Sequence, residues 1–187
     1  MRKVPALTNR LGALALAIND GAEQAAAEVV GRGAQAPAAL TALREFLQDG
    51  TIERLSNVLG LSHSAAVRLV DRLVEDGYVV RHAGDRDGRS VAIRLTERGR
   101  QTAEKVRQAR RRVIENALEP LNEREQRTML AAIDRVLGAM TRRRLQSRSR
   151  GQAPPNGWLC RLCDFNACGR PAGACPVATA ARAPALS

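Results

Sequence analysis

Aromatic residues are nearly absent. The chain has one Trp, one Tyr and two Phe, 2% of its residues. A pocket that stacks a flat substrate between rings is hard to build from so few. The 44% of apolar residues must come mainly from Ala, Leu, Val and Ile, which suits packed helices. Histidine is scarce as well, and neither of the two sits in a catalytic setting. No nucleophile elbow, phosphate-binding loop or paired-histidine metal motif occurs. These absences argue against an enzyme. Long apolar runs are missing too. Leu11–Ile18 is too short to cross a bilayer and ends at Asn19-Asp20. It also has no convincing cleavage site, so the expectation is a cytoplasmic protein without a membrane partner.

Positive charge is what the chain has in excess. Thirty Lys and Arg against 19 Asp and Glu leave a formal charge of +11. Such a balance favours an acidic partner such as nucleic acid. The excess is greater across residues 101–150 than across residues 52–100. Part of it therefore reads equally well as solvated helix surface.

Hydrophobic spacing divides the chain into helices. Leu7, Leu11, Leu14 and Ile18 predict a first helix from Pro5 to Val30, broken by Gly31 and Gly33. A short helix follows over Pro37 to Gln48, and Asp49-Gly50 reads as a turn. Thr51 to Leu59 forms a small helix that Gly60 stops. The next helix restarts at Leu61-Ser62 and runs to Asp76, with Gly77 where a left-handed residue is needed. Two short helices joined by a tight glycine turn make a helix-turn-helix. Residues 78–82 and 90–95 read as a β-hairpin around the polar loop 83–89, a wing. A long helix then runs to about Asn116 and ends before Pro120. Asn122 with Glu125 forms a capping box for a last helix marked by Met129, Leu130, Ile133, Val136 and Met140. The fold class is mainly α with a small β-hairpin wing, a winged helix-turn-helix.

The helix after Gly60 has the two faces a DNA reader needs. Ala66, Leu69, Val70, Leu73 and Val74 form its apolar rear, and Ser64, Arg68 and Arg72 lie opposite. Ser62 is its N-cap, beside free amides that suit a phosphate oxygen. Arg68 can fork to guanine or to phosphate. Arg68 and Arg72 could equally be solvated residues near Glu75 and Asp76, and His63 a passive surface residue.

The runs Ile52–Ser62, Val67–Val79, Asp85–Ser90 and Leu95–Gly99 together resemble the MarR family of transcription regulators, over roughly residues 36–145. The resemblance implies an obligate homodimer bound to a pseudo-palindrome in double-stranded DNA. It implies dimerisation helices in residues 1–35 and 96–150 and a DNA-binding domain in residues 36–95. It places Ser62, Ser64 and Arg68 at the major groove, with His63 and Arg72 of the same helix as further DNA-binding candidates. Asp85 and Arg89 would shape the wing, and Arg86 would reach the minor groove. A repressor released by a small-molecule effector or by a redox change is the implied role. His63 replaces a frequent Pro, and Ala65 and Val67 stand where hydroxyl side chains are common, so the operator should differ from those of relatives.

Residues 151–187 are a linker and an added module. Cys160, Cys163, Cys168 and Cys175 have the spacing C-x2-C-x4-C-x6-C. A C-x2-C pair brings two thiolates to one ion from a single turn, and two more complete a tetrahedron. Four thiolates suit Zn2+ or an iron–sulfur cluster, and ligand type does not separate the two. Trp158, Leu162 and Phe165 could shield such a site from water.

Overall fold

In the computed structural model, which describes residues 5–31, 33, 35–83, 91–152 and 157–182, seven helices surround a three-stranded sheet. The elements in order are α1 (Pro5–Val30), α2 (Gln35–Glu45), β1 (Gly50–Thr51), α3 (Ile52–Leu59) and α4 (His63–Glu75). Then come β2 (Val79–Ala83), β3 (Val91–Leu95), α5 (Glu97–Leu118), α6 (Glu123–Ser149) and α7 (Pro176–Arg182). The mostly helical winged-helix fold expected from the sequence is present.

Local chemistry sets the element ends. The Thr51 hydroxyl accepts the Arg54 amide and starts α3, and Gly60, with φ 68°, ends it. The Ser62 hydroxyl accepts the Ala65 amide and starts α4. Gly77, with φ 73°, closes α4, and the Tyr78 amide reaches back to the Leu73 carbonyl. Asn122 and Glu125 form the expected reciprocal capping box on α6.

The sheet differs from the sequence reading. Gly50, read as part of a turn, and Thr51, read as the start of a helix, form a strand that pairs antiparallel with β3, Gly50 opposite Ile93. The sheet order is β1-β3-β2, with Val79 opposite Leu95 in the hairpin. The turn lies one residue earlier, where Asp49 adopts φ 54°. Two residues carry too little period-two signal to be seen in sequence. Tertiary bonds hold Asp49 in that backbone conformation. Its carboxylate accepts from Arg94 on β3 and sits 3.0 Å from His82 Nε2 on β2, so one side chain ties both hairpin strands to the end of α2. Arg94 holds the Asp49 carboxyl below the usual carboxylate range. The loop 84–90, with Asp85, Arg86 and Arg89, lies outside the described residues.

The helix ends also differ. α2 ends at Glu45 rather than Gln48. α6 continues through the arginine run to Ser149, because Arg, Gln and Leu are good helix formers. α7 has no counterpart in the sequence reading.

The core sits where α2, α3, α4, the sheet and α5 meet, around Leu40, Leu47, Leu55, Val70, Leu73 and Ile93. The C-terminal half of α1 packs on α5 through Ala22, Ala26 and Val30, small residues one turn apart. Its N-terminal half leaves Leu7, Leu11, Leu14 and Leu16 exposed, and α6 leaves Leu130, Ile133, Val136 and Met140 exposed.

Candidate nucleic-acid interface and cysteine cluster

α4 is amphipathic in the way the sequence predicted, with one change. Ala66, Leu69, Val70 and Leu73 are buried against the core. Val74, expected in the same stripe, is 36% exposed. At 3.6 residues per turn it lies about 80° around the helix from Ala66, at the margin of the buried face. Ser62, His63, Ser64, Arg68 and Arg72 are all exposed. Ser64, Arg68 and Arg72 follow one another by about one turn on the side opposite the core. The Ser62 and Ser64 hydroxyls lie 3.3 Å apart at the start of the helix. Among the described residues, neither Arg68 nor Arg72 makes an ion pair, so both guanidinium groups can meet a partner. Asp71 is the paired residue on this helix: its carboxylate accepts from Arg81 of β2 at 2.5 Å and ties α4 to the hairpin.

The hairpin returns to the body at a tight joint. The Tyr78 carbonyl accepts from the Thr96 amide at 2.9 Å and from its hydroxyl at 3.2 Å. Gly99, one turn into α5, lies against that same carbonyl. The Arg98 guanidinium stacks on the Tyr78 ring, 5.0 Å from its centre. This joint sets where the hairpin stands relative to α4.

The cysteine segment docks on the same body, a placement the sequence did not signal. Phe46, at the end of α2, stacks between two of its rings: Trp158 at 5.7 Å and Phe165 at 5.1 Å between centres. The Trp158 amide donates to the Val58 carbonyl at 2.8 Å. Gly157, with φ 72°, lies directly on Val58, Leu59 and Gly60, the turn of the helix-turn-helix. The Phe165 amide donates to Glu45 at 3.0 Å, and Arg107 of α5 pairs with Asp164. Arg107 also pairs with Glu104, whose carboxyl is lowered to about 2, chiefly by that hydrogen bond. Leu162 packs on the core. The aromatic residues expected to shield a metal thus face Phe46 of the winged helix.

The four thiols are free and lie within one short segment. Cys160 and Cys175 are buried, and Cys163 and Cys168 are half-buried. Short turns present them: the Cys163 amide donates to the Cys160 carbonyl at 3.0 Å, and the Asp164 carboxylate accepts the amides of Asn166 and Ala167. The Cys160 and Cys163 thiols act on each other, lowering Cys160 to about 7 and raising Cys163. Cys163 also feels the charges of Cys168 and Cys175. Burial raises Cys168, which lies beside Cys175. The side chains do not form a closed cage: among the described residues, no three His, Cys, Asp or Glu are set around one ion.

Residues 35–90 match the model of the MarR family. An uncharacterised HTH-type transcriptional regulator, YwhA of Bacillus subtilis (strain 168), is 33% identical over 86 residues, 46% of this chain. The match spans 62% of that relative's length. Among solved structures, the YusO protein from Bacillus subtilis is 19% identical with a TM-score of 0.62, over 70% of this chain and 92% of its own. A mutant of S. aureus MepR bound to an oligodeoxyribonucleotide is 19% identical with a TM-score of 0.55, over 74% of this chain and 99% of its own. At these identities the structures show the fold alone, a winged helix. No helix among the described residues is long and apolar enough to cross a membrane.

Proposed function

We propose that the protein is a MarR-family transcription regulator, a repressor that binds a pseudo-palindromic site in double-stranded DNA as a homodimer with α4 in the major groove. The two-sidedness of α4 carries this reading. A buried rear fixes the helix, while Ser64, Arg68 and Arg72 form an exposed front. Arginine in that setting reads guanine or clamps phosphate. The family match over residues 35–90 and the oligodeoxyribonucleotide bound to the MepR mutant support it. The exposed leucines of α1 and the apolar face of α6 support the homodimer, because such stripes are unusual in a monomer.

Drawn from a pool of random duplexes, the protein should enrich an inverted repeat with half-sites about one helical turn apart, two chains to each duplex. Enrichment of no sequence, with steeply salt-dependent binding, would instead make it a general nucleic-acid binder.

The cysteine segment belongs to the same reading as a metal site. Its donor chemistry supports this: four free thiols within one short segment, two of them buried. Cys160, Cys163, Cys168 and Cys175 would hold Zn2+, which would cross-link the turns of the segment. An iron–sulfur cluster on the same thiols is the second form and would let DNA binding respond to oxidants or iron. Purified without oxygen, the chain should be colourless and carry about one zinc. A brown protein with iron and labile sulfide would select the cluster. Neither metal in appreciable amount, with four titratable thiols, would overturn both.

A further inference from the structure

A second site lies between the end of α6, α7 and the cysteine segment. It is a cavity of about 280 Å3, close to the lower end of small-molecule pockets, about 300 Å3. Its wall is apolar where Leu145, Trp158, Leu159 and Val177 line it. Arg144, Arg148, Arg170 and Arg182 line it as well. Among the described residues, no Asp or Glu lines it; the Cys160 thiol does.

That imbalance is built into the sequence. From Arg135 to Ser187 the only acidic residue is Asp164, and Asp164 is occupied by Arg107. Among the described residues, none of the four arginines makes an ion pair. Arg144 donates to the Gly157 carbonyl at 3.1 Å, and Arg170 lies over the Phe165 ring at 4.6 Å. These two are held in place beside the cavity. Arg148 and Arg182 are exposed at its rim. Four like charges around one apolar cavity repel each other, and an anion relieves that repulsion. Guanidinium groups recognise carboxylates through paired N–H donors.

We propose that this cavity binds a small organic acid, with its apolar body against Leu145, Trp158 and Val177 and its carboxylate among the arginines. Gly157 and Trp158 line the cavity and also hold the turn between α3 and α4. Occupancy therefore bears on the strap that touches the reading head. This coupling rests on the DNA-binding reading; ligand binding itself does not, so the two can fail separately.

Trp158 is the only tryptophan in the chain, so its emission reports the site. Titration of the full-length protein with decanoate should shift that emission with saturation at one ligand per chain. Arg148→Gln and Arg182→Gln, both at exposed positions, should each weaken binding by about tenfold, the usual effect of losing one charge-assisted hydrogen bond. Decyltrimethylammonium, of the same chain length and opposite charge, should leave the emission unchanged. The assignment is overturned if the cation binds as well as the acid, or if the two variants bind decanoate like the wild type. It is also overturned if inorganic phosphate alone binds as tightly, which would leave the apolar wall without a role. A further contrary result is that decanoate fails to bind while both variants reduce the salt dependence of duplex binding. That would make the cluster a DNA-backbone contact. With binding established, decanoate should change the affinity for the selected duplex. An unchanged affinity would leave the pocket standing and remove its link to DNA.

Discussion

Gly99→Ala should lower stability by about 3–5 kcal/mol, although alanine is ordinarily the better helix former by about 1 kcal/mol. A Cβ at Gly99 would stand 2.0 Å from the Tyr78 carbonyl oxygen and 3.1 Å from Leu95 Cδ2. The first of these is backbone, and it is fixed by the Thr96 amide and hydroxyl. It cannot yield without opening the joint between the hairpin and α5. Calorimetry should show a fall in Tm of roughly 6–20 °C for a chain of this size. Gly12→Ala makes the same chemical change in α1, where nothing lies within 4 Å of the new Cβ. It should be neutral or stabilising by up to about 1 kcal/mol. Equal effects at the two positions would show that the joint is not tight.

Gly157→Ala should release the cysteine segment from the winged helix. Its φ of 72° already disfavours a side chain, and the new Cβ would meet the Val58 carbonyl oxygen at 2.2 Å and the Gly60 nitrogen at 2.8 Å. Release gives up the Trp158–Val58 hydrogen bond, about 1 kcal/mol. It also gives up stacking on Phe46, about 0.5–1.5 kcal/mol for each ring pair. A local cost of about 2–4 kcal/mol follows. Trp158 emission should shift to the red and the linker at residues 150–157 should become sensitive to protease, while α-helical content stays near that of the wild type. Gly173→Ala is the companion, with a similar φ of 75° and open space around the Cβ. It should cost about 1–2 kcal/mol and leave Trp158 in place. Unshifted emission in Gly157→Ala would mean that the strap does not hold the segment.

These two glycines mark what the sequence could and could not reveal. Gly99 belongs to the run Leu95–Gly99 that carries the family resemblance, but its reason, a carbonyl occupying the space of a side chain, appears only in three dimensions. Gly157 reads as part of a linker beside Pro154-Pro155. Its contact with Gly60 joins residues almost a hundred positions apart, and no local pattern encodes such a pairing. The helices were legible because their signals are local. Leucine spacing marked α1, a hydroxyl cap marked the start of α4, and Gly60 and Gly77 marked the ends of α3 and α4. β1 escaped because a two-residue strand is defined by its partner, Ile93, rather than by its own alternation. The two faces of α4 were legible from periodicity, apart from Val74 at the edge of the apolar stripe.

The cysteine segment divides in the same way. The four thiols could be picked out by spacing, and all four are free in the fold. That Trp158 and Phe165 grip Phe46 could not be foreseen, because Phe46 lies at the end of a helix with no visible relation to them. The arginine-lined cavity was hidden for another reason. Arg144 and Arg148 read as the solvated end of α6, and only the fold of α7 back onto α6 brings Arg182 to meet them.

Whether the exposed face of α4 reads DNA sequence is tested most directly by a ratio of affinities, for a selected duplex against a scrambled one. It should be measured with wild-type protein and with the triple variant Ser64→Ala, Arg68→Ala, Arg72→Ala. All three side chains are exposed, and alanine is a good helix former, so the fold should survive. The ratio should fall by about a hundredfold or more, since each base contact contributes about 1–3 kcal/mol of discrimination. An unchanged ratio, whether both affinities fall together or neither falls, would contradict the assignment of α4 as the reading helix.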